Sequence, residues 1–247
     1  MSHHGDNKNV KAVKHEVQGV TYFDRPELTI DGVEYQRFAI KTHFIARKES
    51  YLEVCRRYVQ PLAQSGDILL ISEKIIAMCQ DNTVEIENVK LGWWAKHLSK
   101  LATSNDAGIG MDEPYKLQLA IDIAGLPRIL LAVFCGGIGK IFKKDGWFYK
   151  VAGHGIAGID GFYKRSSFEI YHTLAILNPL EPDKVCQEIS EAFDVACAIV
   201  DANDYGQEIL GSYALEDKEV FMQLMKDNPA GQDDELTPLV LMRKISL

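Results

Sequence analysis

"VACAIVDAND" (195–204) is an apolar run that stops at a carboxylate, and the fold turns on how it is read. Its first seven residues read as a strand ending at Asp201. A second apolar stretch, "GHGIAGIDGF" (153–162), stops in the same way at Asp160. Gly or Asn crowds both aspartates. One reading is a pair of ordinary turns, since Asp and Asn are common turn formers. The other is two carboxylates aimed out of a sheet end, where their hard oxygens suit Mg²⁺ or Mn²⁺.

Further strands are expected at "DILLISEKIIAM" (67–78), running into a turn at Glu73-Lys74, and at "PLVLMRKI" (238–245). "RILLAVFC" (128–135) and "GWFYKVAG" (146–153) also read as strands. "TIDGVEYQRFAI" alternates around Asp31-Gly32, a hairpin signal. Helices alternate with these. "SYLEVCRRYVQPLAQ" (50–64) has Leu52, Cys55, Val59 and Leu62 at helical spacing and is kinked or ended by Pro61. "EPYKLQLAIDIAG" opens on Pro114 and stops at Gly125, the usual asymmetry of helix ends. "EPDKVCQEISEAFD" and "EDKEVFMQLMKD" (216–227) complete the set. The class is α+β, or mixed α/β, with strands at both ends of the chain. Residues 1–12 read as a disordered tail, and 13–247 as a single domain or two interleaved lobes.

The chain has 247 residues, enough to bury a core without staples. A net charge of −8 argues against a nucleic-acid surface but leaves room for a local basic pocket. The five cysteines show no CxxC spacing and read as reduced core thiols. The N-terminus has no apolar signal region, and the longest apolar run, "ILLAVFCGGIG", is too short to cross a bilayer. A cytoplasmic protein with no membrane partner is expected.

Several motifs fail. "FCGGIGKIFKK" is not a Walker A loop, which would need Gly at Phe134 and Ser or Thr at Ile141. Its glycines read as flexible points beside a strand, and Lys140, Lys143, Lys144 and Lys150 as a rim for an anion. His154 and His172 have no zinc-type spacing, and no G-x-S-x-G elbow is present. "NPAGQDDELTPLVLMR" (228–243) is a polar loop entering a strand, with Gly231 and Gln232 followed by Asp233, Asp234 and Glu235.

"LLISEKI" (69–75), "IAGID" (156–160), "LNPLEPDKV" (177–185), "AIVDAND" (198–204) and "GQDDELTPLVLMR" (231–243) occur in that order. Together they resemble the gamma-glutamyl ligase family, the coenzyme F420-0:L-glutamate ligases, over roughly residues 38–243. The resemblance implies a gamma-glutamyl ligase-like fold, mixed or antiparallel sheets flanked by helices, in an intertwined homodimer. It implies a ligase that uses GTP, or ATP, and Mn²⁺ or Mg²⁺ to join L-glutamate to a small-molecule carboxylate acceptor through an acyl phosphate. Asp160, Asp201 and Gln232 carry over as metal ligands. Lys41, Thr42, His43, Phe44, Ser72, Glu73, Gly231, Asp233 and Glu235 carry over as nucleotide contacts.

The chain also departs from the family. Ala202 stands where the family has a threonine ligand, leaving Asn203 or Asp204 to replace it. Tyr163 replaces an asparagine and Ala77 a lysine, and the segment from Tyr205 to Ala230 is shortened, so the acceptor is not expected to be the deazaflavin coenzyme. These departures keep in view a non-catalytic nucleotide- or metabolite-binding homologue, and carboxylates holding Mg²⁺, which can orient water as easily as an amine, keep in view a metal-dependent phosphohydrolase.

Overall fold

The computed structural model describes residues 13–102, 111–142, 146–162, 169–203, 206–231 and 235–245. The chain divides into unit 1, residues 1–79 and 181–247, and unit 2, residues 80–180. The N-terminal part of unit 1 holds β1 (Lys14–Val17), β2 (Val20–Ile30), β3 (Val33–Ile40), α1 (Tyr51–Tyr58), β4 (Ile68–Ser72) and α2 (Glu73–Cys79). Unit 2 follows with β5 (Thr83–Glu85), α3 (Trp93–Leu98), α4 (Pro114–Ala124), α5 (Leu126–Ile141), α6 (Trp147–Ala152), α7 (His154–Ala157), β6 (Asp160–Gly161) and β7 (Leu174–Ile176). Unit 1 resumes with α8 (Pro182–Phe193), β8 (Ala196–Asn203), β9 (Gly206–Tyr213), α9 (Lys218–Met225) and β10 (Leu239–Ile245). The class is mixed α+β, with a mixed sheet flanked by helices. The expected tail, residues 1–12, lies outside the described residues.

Unit 1 is a seven-stranded sheet in the order β1-β2-β3-β10-β4-β8-β9. Its neighbours pair antiparallel except β4 and β8, which run parallel, Ser72 opposite Val200. Parallel neighbours need a crossover, and here the crossover contains α2, all of unit 2 and α8. The middle strands are apolar without alternation because both faces are covered. Leu69, Ile71, Cys197, Ile199, Leu239 and Leu241 pack with α1 and α8 on one face. Leu70, Ala198, Val200, Val240 and Met242 pack with α9 on the other.

Local chemistry sets the boundaries. Asp31 and Gly32 both have positive φ, 50° and 79°, as a two-residue hairpin turn between β2 and β3 requires. The β2–β3 register slips between Arg25 and Leu28, around Pro26, which has no N–H to give the ladder. Ser50 caps α1 by accepting from the Glu53 amide, and α1 closes at Tyr58, before Pro61. Asp217 caps α9 by accepting from the Glu219 and Val220 amides. Arg37 is fully buried on β3. It forms a two-pronged ion pair with Asp227 and donates to the Pro26 carbonyl at 2.7 Å and the Leu224 carbonyl at 2.8 Å. Arg243 pairs with buried Asp67 at 2.7 and 2.8 Å.

Unit 2 is mainly helical, with a small antiparallel sheet ordered β5-β7-β6. Its core gathers Leu117 and Ala120 of α4, Ile129 and Ala132 of α5, Ala152, Ile156, Ile159, Phe162 and Ala175. Gln80 and Leu180 close its chain ends with two hydrogen bonds, 2.7 and 2.8 Å.

The expected strands at 128–135 and 146–153 are helices, α5 and α6. α5 is apolar on nearly every side, so no period separates helix from strand. Its start signal is Gly125, at φ 82°, followed by Pro127 in the first turn. The glycines of "FCGGIG" are therefore helical. A Cβ on Gly136 would sit 3.2 Å from the Phe148 Cβ, so this glycine lets α6 lie close against α5. Glu73-Lys74 likewise open a helix, α2, rather than a plain turn.

Candidate functional site at one end of the unit 1 sheet

β3, β4 and β8 finish at the same end of the unit 1 sheet, where β10 begins. Ile40 lies opposite Leu239, Leu239 opposite Ile71, and Ile71 opposite Ile199. One or two residues further on stand Lys41-Thr42, Thr237-Pro238, Ser72-Glu73 and Asp201. Most of the expected nucleotide contacts thus arise here from chain direction and register.

Main-chain bonds tie the segments together. The Thr42 amide donates to the Leu236 carbonyl at 2.9 Å, and the Ser72 amide to the Pro238 carbonyl at 2.9 Å. Thr42 is buried, whereas Lys41 is exposed, its amide donating to the Thr21 carbonyl at 2.9 Å. Glu73, the first residue of α2, is only 6% exposed. Ala77, where the family has lysine, is buried in α2, so no cation enters there.

His43 is held on both ring nitrogens. The Tyr58 hydroxyl accepts from the His43 amide at 3.1 Å and lies 2.8 Å from Nδ1, while Nε2 lies 2.9 Å from Glu49 Oε2. A hydroxyl that accepts from an amide has its own proton to give, so Nδ1 accepts and Nε2–H faces the carboxylate. The ring also stacks on Tyr58, centroids 5.6 Å apart. This imidazole fixes the path of the 41–44 segment, with neither nitrogen left over as a base. Phe44 is half-buried in the same segment.

The 228–238 loop is anchored from several sides. Arg25 donates to the Pro229 carbonyl at 2.8 Å and to Glu235 at 2.7 Å. Asn228 donates to the Gly231 carbonyl at 3.1 Å, and Thr237 to the Ala230 carbonyl at 2.6 Å. Gly231 has φ 77°, and a Cβ there would fall 2.5 Å from a Glu235 carboxylate oxygen. A side chain at 231 therefore strains the backbone and displaces Glu235 together. Gln232, Asp233 and Asp234 lie outside the described residues.

Asp201 lies within β8, opposite Glu208 of β9, so the strand runs past it instead of ending on it. Asn203 closes β8 with its backbone opposite Gly206, while Asp204 lies outside the described residues. Asp160 belongs to unit 2. It is the first residue of β6, opposite Ile176, and follows the short helix α7 where an apolar strand was expected. Tyr163 lies outside the described residues. Among the described residues no three His, Cys, Asp or Glu side chains form a group able to hold a metal ion.

Sequence reasoning passed over Arg25, Glu49, Tyr58 and Thr237. Two of them carried signals: Arg25 precedes a proline within a strand, and Glu49 precedes the Ser50-x-x-Glu53 capping pattern that fixes the start of α1. All five cysteines are thiols with no disulfide. Burial pushes the Cys55 and Cys79 thiols up to about 12, so neither is poised as a nucleophile.

Among the described residues no single helix is long and apolar enough to cross a membrane. No protein-family model matches the chain, and no curated protein matches it.

Proposed function

We propose that unit 1 binds a nucleoside triphosphate, GTP or ATP, at this sheet end, and that the chain is a ligase joining an amino acid, L-glutamate by the family resemblance, to a carboxylate acceptor. The observation that carries the reading is the bonding of three segments distant in sequence. Residues 41–44, 72–73 and 235–238 meet through the Thr42–Leu236 and Ser72–Pro238 bonds, with Asp201 on the adjoining strand.

The reaction conserves its atoms. The acceptor carboxylate attacks the γ-phosphorus, forming an acyl phosphate and releasing the nucleoside diphosphate. The amino group then attacks the acyl carbon, an amide bond forms, phosphate leaves and the nitrogen gives up a proton. A bound divalent cation would offset phosphate charge during transfer. Lys41 is the exposed cation of the group and meets phosphate as a point charge. Residues 228–231 and Glu235, each anchored by side-chain bonds, and the His43–Tyr58 pair would hold the walls. Unit 1 has 16 Lys and Arg against 25 Asp and Glu. Charges farther than about 8 Å from a bound triphosphate are largely screened at physiological salt, so the local set, not that excess, governs binding.

The test is phosphate release with GTP or ATP, Mn²⁺ or Mg²⁺, glutamate and a panel of carboxylates. The ligase reading expects release only when amine and acceptor are both present. Release with neither present would make the chain a phosphohydrolase, and binding without turnover a non-catalytic homologue.

A further inference from the structure

α5 turns Ile129, Ala132 and Gly139 into the unit 2 core. Its opposite side carries Leu131, Phe134 and Ile141, exposed by 55%, 66% and 79%, and Phe142 follows at 67%. With half-buried Ile138 between them, their spacing of three and four residues makes one stripe over three turns. A contiguous exposed apolar stripe of this kind marks an interaction surface.

Charge says what covers it. α5 and α6 carry Arg128, Lys140 and Lys150, all exposed, and not one carboxylate. Unit 2 holds 11 Lys and Arg against 10 Asp and Glu, so the acidic excess of the protein lies in unit 1. Pairing two copies of α5 would add cations to cations and bring no carboxylate from either helix. A surface of anionic lipid supplies both an apolar layer for the stripe and negative headgroups for the cations.

We propose that α5 docks on an anionic lipid surface, lying along the boundary between headgroups and acyl chains. It does not span. Sixteen residues reach about 24 Å, short of the roughly 30 Å hydrocarbon core, and one side of the helix is committed to protein. α4 and α5 together are long and apolar, but they bend by 120° at Gly125, and α4 buries residues 116–120 inside the protein. The length of α5 argues against its crossing alone, but not against this surface contact.

The experiment is co-sedimentation of the full chain with vesicles of phosphatidylcholine alone or mixed with phosphatidylserine. Binding is expected on the mixed vesicles only, weakening as salt rises. Phe134→Glu and Ile141→Glu, both at exposed positions, should each weaken it at least about tenfold. Lys140→Glu and Lys150→Glu, which leave the apolar stripe intact, should each weaken it at least about fivefold. No binding, equal binding to both vesicle types, or binding indifferent to these variants overturns the proposal. So does a lipid-free dimer that Phe134→Glu converts to monomer, which would assign the stripe to a second copy. None of these readouts involves nucleotide, so failure here and failure of the ligase reading are distinguishable.

Discussion

Unit 1 covers both faces of its sheet, α1 and α8 on one side and α9 on the other, while unit 2 covers one side of its longest helix and leaves the other bare. Both contain long runs of consecutive apolar residues. In unit 1 such a run is a strand between two layers, and its partners are on either side of it in the sheet. In unit 2 the run is α5, whose outer residues have no covering layer among the described residues. The difference is one of architecture rather than composition: an apolar run reports burial only when something stands on both sides.

The contrast can be broken hardest in unit 1. Arg37→Ala leaves the Pro26 and Leu224 carbonyls without their buried donor, while Asp227, which is exposed, can turn to water; an unsatisfied buried polar group costs about 1–3 kcal/mol. Urea denaturation should show a loss of that order, and a change under 1 kcal/mol would mean the guanidinium is not locked as described. In unit 2, Gly136→Leu should cost about 1–3 kcal/mol by crowding Phe148. Its neighbour Gly137 has nothing within 4 Å of an added Cβ. Gly137→Ala should therefore stabilise by about 1 kcal/mol through helix propensity alone. Thermal melts of the two variants moving in the same direction would contradict the α5–α6 packing.

Alkaline pH sharpens the comparison further, because Tyr51, Cys55 and Cys79 all lie in unit 1. Burial and, for Tyr51, its hydrogen bond to Glu188 raise these groups to about 12 from ordinary values of 10.0 and 9.0. The unfolded chain then loses protons that the folded chain keeps. Stability is full below about pH 9 and falls as pH climbs toward 12. Melting midpoints should drop across that window, and Cys55→Ala should flatten the slope whatever it does to absolute stability. A slope unchanged by Cys55→Ala would contradict the burial of that thiol. The smallest effects are at the caps. Asp217→Ala should cost about 1 kcal/mol, and Ser50→Ala, whose bond is longer at 3.4 Å, less within the roughly 0.5–2 kcal/mol range.

Much of unit 1 was legible because its signals are local. The Asp31-Gly32 turn, Pro182 at the start of α8 and the apolar runs of β4, β8 and β10 each fix an element without knowledge of the rest. α4 was legible in unit 2 for the same reason, bounded by Pro114 and Gly125. α5 and α6 were not, because α5 is apolar on nearly every side and α6 has only six residues, so neither shows a period to distinguish it from a strand, and Gly136 acts through Phe148, a contact no sequence window contains. At the candidate site, the segments were visible as motifs, but their bonding was not. Arg25 reaching Pro229 and Glu235, and Tyr58 reaching His43, depend on register across the sheet.

The central claim is that the sheet end of unit 1 is a triphosphate site. Calorimetric titration of GTP, in the presence of Mn²⁺, into the full chain and into Lys41→Ala tests it directly. Losing a hydrogen bond to a charged group costs about 1.5–3 kcal/mol, so Lys41→Ala should weaken a saturable one-to-one isotherm roughly 10- to 100-fold. No saturable binding of GTP or ATP, or an affinity that Lys41→Ala leaves unchanged, would contradict it.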